Sequence, residues 1–329
     1  MGLMKAIVQR QYGSPDVLEL QELDKPVVGD EEVLVRVRAA ALNPVDWHFM
    51  RGEPYIMRAG AGIGKPRVTR LGVDLAGQVE AVGCGVTQFK SGDEVFGTQR
   101  GAFAEYVNAQ QGALALKPAN LTFEQAAAVP VAGLTALQGL RDKGKLRPGQ
   151  KVLINGASGG VGTFAVQIAR WFGADVTGVC STRNLETVRS LGADRVVDYT
   201  LEDFTRNAIR YDLILDAVGN RSLPECLRAL TAQGYLVLVG APSGRWLAPL
   251  PRLLRAMVLS LFVSQKLVPI LTSTVQEDLI VLKDLIESEE VTPIVDRQYG
   301  LCEVPQAMSY LEAGHARGKV VISMGDFDT

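Results

Sequence analysis

The run Asn155-Gly156-Ala157-Ser158-Gly159-Gly160-Val161-Gly162 follows the apolar stretch 151–154 and opens a segment with helical periodicity. A glycine turn between a strand and a helix lets backbone approach a pyrophosphate closely. The helix then offers its unpaired N–H groups and positive dipole end to the phosphates. Ala157-x-Gly159-x-x-Gly162 has that spacing, with a small alanine where the first glycine usually stands. Ser158, Gly159, Gly160, Val161 and Gly162 are therefore candidate cofactor contacts.

A second strand, DVTGVC, ends about 20 residues on, where a dinucleotide site that takes NAD carries an acid for the ribose hydroxyls. Here the tip reads Cys180-Ser181-Thr182-Arg183-Asn184, and the nearest acid, Glu186, already belongs to the next helix. Arg183 can grip a 2′-phosphate through its planar fork, and Ser181 can donate a hydroxyl. The expected cofactor is NADPH.

Other chemistry is sparse. His48 and His315 lie in separate segments, and Cys84, Cys180, Cys226 and Cys302 form no C-x2-C pair. A zinc ribbon or a redox dithiol is thus unsupported, and reduced thiols fit a cytoplasmic protein. A net charge of −2 gives no basic field for nucleic acid. The start MGLMKAIVQRQYG reads as a strand, with no apolar signal-peptide core.

The elements that must position these residues follow from pattern. A chain of 329 residues, 47% hydrophobic and 21% charged, has the size and balance of two globular domains. Up to about residue 118 the chain alternates short strand-like runs with Gly and Pro turns. LTFEQAAAVPVAGLTALQGL then reads as helix, with Thr122 and Gln125 as a capping box. Beyond it strands and helices alternate, which implies βαβ units and a parallel sheet. Val161, Phe164, Ala165, Ile168, Ala169 and Phe172 fall on one face of the helix after the glycine turn. The segment from EVTPIVDRQYGL to GKVVISM reads as β again and could rejoin the first unit.

The chain resembles the medium-chain dehydrogenase/reductase superfamily, in its zinc-free quinone oxidoreductase-like branch. The resemblance rests on ALNPVDW, GVDLAGQVEAVGCGVTQFKSGDEVFG, GAFAEYV, AAAVPVAGLTAL, NGASGGVG, CSTRN, LGADRVVDY, DAVGN and GHARGKVVI, and runs along nearly the whole chain. It implies an α/β architecture, a Rossmann doubly wound parallel sheet inserted in a β-rich GroES-like catalytic domain. Residues 1–121 plus 273–329 would form the latter, and 122–272 the NADP-binding domain.

Zinc-dependent relatives carry Cys at the position matching Asn43 and Gly-His-Glu matching Gly72-Val73-Asp74, so no metal is expected. The resemblance implies hydride transfer from NADPH to a quinone or an α,β-unsaturated carbonyl. The alternatives are an enoyl-thioester reductase and an NADPH-binding regulatory protein with little turnover. It brings Asn43 to the nicotinamide ribose and Thr135 to the nicotinamide end. Val239 and Gly240 would present backbone to the carboxamide, and Val218 and Gly219 would line the cleft. Tyr199 would lie by the 2′-phosphate, and Gly318 and Lys319 would reach the cofactor. His48 matches a substrate-facing position, where an imidazole could hydrogen-bond a carbonyl oxygen or donate a proton. Its neighbour Asp46 reads as a loop hydrogen-bond acceptor.

Between Glu225 and Glu277 there is no acidic residue, while Arg228, Arg245, Arg252, Arg255 and Lys266 occur. Within 246–272, one reading is a helix at the substrate mouth followed by an edge strand, KLVPIL, that pairs a homodimer. The other is an interfacial helix on an anionic membrane.

Overall fold

The computed structural model describes residues 2–240 and 250–325. Arg245 and the first residues of the basic apolar stretch, 246–249, lie outside them. The chain divides into two compact units. One comprises residues 1–134, 273–289 and 293–329, the other residues 135–272 and 290–292.

The first unit is built on strands β1 (Leu3–Gln9), β2 (Leu18–Asp24), β3 (Glu32–Ala41), β4 (Asp74–Val82), β5 (Glu94–Thr98), β6 (Tyr106–Gln110) and β7 (Leu114–Leu116). β1 and β2 form a separate antiparallel pair. The ten-residue β3 is central, pairing antiparallel with β4 and with β6. Its inward side chains Val33, Val35 and Val37 are fully buried in a core that includes Phe103, Met308 and Ile322.

The second unit holds β8 (Lys151–Asn155), β9 (Asp175–Cys180), β10 (Arg195–Asp198), β11 (Tyr211–Asp216), β12 (Leu230–Leu238) and β13 (Lys266–Pro269). All are parallel, in the order β10-β9-β8-β11-β12-β13. Strands covered on both faces read as unbroken apolar runs, as in Val152-Leu153-Ile154, each with no exposed surface. The sheet order reverses direction between β8 and β11. A crevice at the carboxyl ends of the strands there is where ligands bind in such sheets.

The closing strands β14 (Val295–Gly300) and β15 (Lys319–Ser323) return to the first unit. β15 pairs antiparallel with β3, matching Ile322 to Ala40. The tail therefore rejoins the amino-terminal body, as its β pattern suggested.

Two features differ from the sequence reading. Residues 122–134, expected with 122–272, belong to the first unit. Helix Phe123–Ala127 packs on β3 and β4, Ser323 Oγ donates to Glu124, and the Val131 N–H donates to Asp74. The Thr122–Gln125 capping box starts that helix, and a second helix, Pro130–Gln138, follows. The other difference concerns helix Gly160–Trp171, where every residue from Gly162 to Ala169 is buried rather than one stripe. Its polar members find hydrogen-bond partners. Gln167 exchanges two hydrogen bonds with the Thr292 backbone, at 3.0 and 2.8 Å, which ties 290–292 to the second unit.

Candidate active site

In the second unit the glycine turn forms as the spacing requires. Gly156 adopts φ +87°, a region that side chains disfavour, so the turn begins one residue before Ala157, which is buried. A Cβ on Gly162 would lie 2.0 Å from the Gly156 oxygen. Only hydrogen fits there, and this close approach seats the helix N-terminus against the end of β8. Gly159 is the N-cap, so Gly160, Val161 and Gly162 make the first turn and direct their N–H groups out of the helix end.

The next loops converge on this turn. Val218 lies beside Gly156, and the N–H groups of Val218 and Gly219 donate to Asp216 Oδ1 at 3.3 and 2.8 Å. Asp216 has no exposed surface and also accepts from Asn155 Nδ2 at 2.8 Å and from an Arg252 guanidinium nitrogen at 2.5 Å. Arg252 further donates to the Gly219 carbonyl. The Val239 and Gly240 N–H groups both donate to the Asp216 carbonyl, at 3.0 and 2.9 Å. Their own carbonyls are then the groups left to meet a ligand amide. Thr135 is buried, its hydroxyl 2.7 Å from that of Thr272.

At the end of β9, Asn184 joins the two phosphate-side loops. Its Nδ2 donates to Ser158 Oγ at 2.9 Å and Ser181 Oγ at 3.2 Å, while its buried Oδ1 has no partner among the described residues. Arg183 is exposed at the same tip, and half-exposed Tyr199 donates its N–H to the Cys180 carbonyl. Among the described residues, Glu186 beyond the tip pairs with Arg189, and the carboxylate at the end of β10 is Asp198. It accepts from the Thr182 hydroxyl at 2.5 Å and from the Thr200 N–H and hydroxyl at 2.9 and 2.7 Å. Those hydrogen bonds hold its carboxyl below the usual range, and both oxygens are occupied. It anchors a turn and is not offered to a ribose. Helix end, close glycine contact and the lack, among the described residues, of an uncommitted acid at the tip together fit a phosphorylated dinucleotide.

In the first unit, helix Pro44–Arg51 starts at Asn43. The Asn43 N–H donates to Asp46 Oδ2 at 2.8 Å, and its side-chain amide is diverted to Asp74 Oδ2 at 2.9 Å. Lys319, from the far end of the chain, completes the cluster. Its ammonium donates to Leu42 O at 2.9 Å, Asn43 Oδ1 at 2.5 Å and Asp74 Oδ2 at 3.1 Å. An ammonium has three donors, and all three are engaged. Lys319 thus fixes Asn43, whereas the sequence had it reaching the cofactor itself. The cluster is almost fully enclosed.

Asp46 lines a cleft with Phe49, Gly72, Val73 and Arg100 among its walls. Burial, with Asp74 close by, pushes its carboxyl up to about 7 against the pull of Lys319 and of hydrogen bonds from the Asn43 and Gly72 backbone. His48 is not in that wall. Its Nδ1 is 2.7 Å from the Glu53 carbonyl and its ring stacks on Trp47 at 3.8 Å. A carbonyl only accepts, so Nδ1 carries the proton and Nε2 is a lone pair in the neutral ring. Burial lowers the imidazole pKa, which disfavours the imidazolium that could donate from Nε2.

Asp216, Arg252, Asn184 and Lys319's hold on Asn43 escaped the sequence reading. Asp216 stands just before Ala-Val-Gly at a strand end, which is a usable signal. Arg252 pairs with it across 36 positions, and no local pattern announces that.

Fold and crevice define a dinucleotide-binding dehydrogenase with a separate β-rich unit. Residues 29–119 match the family of alcohol dehydrogenase GroES-like domains, and residues 191–322 match the zinc-binding dehydrogenase family. A 2-methylene-furan-3-one reductase of Solanum lycopersicum is 36% identical over 97% of this chain and 79% of its own length. An Arabidopsis thaliana protein, NADPH-dependent alkenal/one oxidoreductase, chloroplastic, is 36% identical with the same coverage. The solved quinone oxidoreductase of Coxiella burnetii superposes with a TM-score of 0.87 at 30% identity, covering 98% of this chain and all of that one. The chain belongs to the medium-chain dehydrogenase/reductase superfamily, in its zinc-free quinone oxidoreductase-like branch. Although one matched family is named for zinc, the ligand-matching positions are Asn43 and Val73. Among the described residues no group of three or more His, Cys, Asp or Glu is placed to hold a metal ion.

Proposed function

We propose that the protein is a zinc-independent, NADPH-dependent reductase of quinones and α,β-unsaturated carbonyl compounds. The observation that carries the cofactor half is the crevice at the ends of β8 and β11, whose neighbouring strand tip bears Arg183 and no available carboxylate. The substrate half is supported by the relatives, named for alkenals and enones, a furanone and quinones.

The dinucleotide, when bound, supplies hydride to the electrophilic carbon of the substrate. Ser158 through Gly162 would hold the pyrophosphate, Ser181, Arg183 and Tyr199 the 2′-phosphate, and Thr135, Val218, Gly219, Val239 and Gly240 the remainder in the second unit. Asn43, fixed by Lys319 and Asp74, is the proposed ribose contact. The Asp46 cleft would take the substrate. Reduction leaves an enolate or hydroquinone oxygen that needs a proton. We assign the proton-holding role to the Asp46 carboxyl, because it lines the cleft and is still partly protonated near neutrality. His48, whose proton points to Glu53, is left a positioning role.

NADPH consumption across a panel of quinones, enals, enones and enoyl thioesters tests this reading, with NADH as the comparison. Quinones and enones should turn over and NADH should serve less well. Turnover of enoyl thioesters alone would indicate the acyl-thioester reductase, and tight NADPH binding without turnover the regulatory protein.

We also propose a homodimer through β13. Among the described residues that strand is the sheet edge, pairing with β12 alone, and Phe262 and Leu271 beside it are 80% and 92% exposed. An edge with apolar neighbours is a surface that a second copy covers. Sedimentation should give a dimer that Val268→Pro weakens. Flotation with anionic liposomes would instead favour the membrane reading for helix Leu250–Leu259. No described helix is long and apolar enough to cross a membrane. The four cysteines are unbridged, which supports a reducing compartment such as the cytoplasm.

A further inference from the structure

The cleft wall carries a charge pattern that reduction of a neutral enone does not need. Arg67, Arg70 and Arg100 all line it, and its one acidic residue is Asp46. None of the three arginines forms an ion pair with a carboxylate among the described residues, although surface arginines elsewhere do, as Arg51 does with Glu312 at 2.6 Å. Arginines that line one cleft without acidic partners are suited to an oxyanion, whose oxygens their forked donors can pair.

Their placement is built into the fold. The Arg67 N–H donates to the Ala61 carbonyl at 2.8 Å. The turn before it is braced by Arg58, whose guanidinium lies over Tyr12 and Tyr55, 4.5 Å from each ring centre. Arg70 bridges Val8 of β1 through backbone. Arg100 sits between Gln99 and Gly101, whose N–H groups donate to the Val73 and Gly72 carbonyls at 2.8 and 2.9 Å. Its guanidinium lies over the Phe49 ring at 4.5 Å, so an apolar surface adjoins the charge. Asp46, pushed up to about 7, is only partly ionised near neutrality and so only partly offsets the charge of the three arginines.

We propose that this cleft is an anion subsite, so that the preferred substrates are electrophiles carrying a carboxylate or phosphate at the end of an apolar stem. The proposal rests on the reading of the cleft as the substrate site. A carboxylate would come from an oxo-acid, a phosphate from a phosphopantetheine or nucleotide thioester.

The test is calorimetric titration of the full-length protein without NADPH. The probes are a saturated medium-chain oxo-acid, its methyl ester, and coenzyme A. The oxo-acid should bind at least about tenfold more tightly than the ester, as a charge-assisted hydrogen bond supports. Arg100→Gln and Arg70→Gln should each bring that ratio several-fold closer to one. Arg147→Gln, on the surface of the second unit, should leave it unchanged. Arg100→Lys should restore part of it. Tight coenzyme A binding, lost in the same variants, would support the subsite and assign it to a phosphate. Equal affinity for acid and ester together with no coenzyme A binding would overturn it, and so would preferences that neither glutamine variant alters. Since the titration needs no hydride, its failure leaves the reductase reading standing. Failure of the turnover panel likewise leaves the titration decisive.

Discussion

The second unit's crevice and the first unit's polar cluster solve different problems. The crevice is made chiefly of backbone: a glycine turn, a helix end, and loops whose N–H groups converge on Asp216. The cluster is made of side chains, in which Lys319, Asn43 and Asp74 satisfy one another in a nearly enclosed space. A backbone site is dictated by which residues permit the turn, so damage to it should show in ligand binding. A buried charge cluster contributes to the fold itself, so damage to it should show in stability first.

The sharpest way to break that contrast is Lys319→Met. Removing one member of a buried ion pair costs about 3–5 kcal/mol, because the buried Asp74 carboxylate loses its counter-ion. Urea unfolding should register that loss, and adding Asp74→Asn should recover a large part of it. A Lys319→Met protein as stable as the parent would show that the cluster is a ligand site only.

In the crevice, Gly162→Val should place methyl groups where a Cβ alone already meets the Gly156 oxygen at 2.0 Å. Overpacking of this kind costs about 1–3 kcal/mol. The larger consequence should be loss of the NADPH-induced rise in melting temperature, which thermal denaturation reads directly. Arg183→Ala sharpens the contrast further, since this exposed side chain should matter to ligand and not to fold. NADPH affinity should fall about ten- to a hundredfold, NADH affinity should hold, and the melting temperature of the free protein should not move. Equal affinity of the unmutated protein for the two cofactors would remove the 2′-phosphate assignment.

Asp46 bears on both stability and turnover. Its folded pKa is raised from 3.8 to about 7. The protonated form therefore favours the fold fully below the ordinary carboxylate range, and that contribution disappears as pH rises through about 7. Unfolding curves across this range should show the parent losing stability relative to Asp46→Asn, with the difference levelling off above about 7. Turnover should also decline above that pH, and Asp46→Asn should lower it about tenfold, less than the usual general-acid effect of about 10²–10⁴ because water can substitute. His48→Ala should cost only a few-fold, with NADPH binding intact. A larger loss for His48→Ala than for Asp46→Asn would return the proton to the imidazole.

Much of the crevice was legible because its determinants are consecutive. Gly159, Gly162, Ser181 and Arg183 lie at strand ends that apolar runs mark plainly, and alternation of strands with helices implied the parallel sheet. Helix Gly160–Trp171 shows where periodicity stops being informative. One apolar stripe was readable, yet buried Thr163 and Gln167 lie on other faces, because a helix enclosed on several sides can bury polar groups that find local partners. The assignment of 122–134 failed for a related reason. A helical pattern states that a helix forms and not which body it packs against.

Readable along the chain were the glycine turn, the missing acid at the strand tip and the replacement of metal-ligand types by Asn43 and Val73. Each depends on neighbours within a few positions, where steric and hydrogen-bonding rules act locally. Tertiary structure alone decided that Lys319 grips Asn43, that Arg252 locks Asp216, that Asp46 is buried beside Asp74, and that three arginines meet at one cleft. Those are encounters between residues distant along the chain. Their energies depend on burial and on which charges share the same low-dielectric space, and neither is written in the order of the residues.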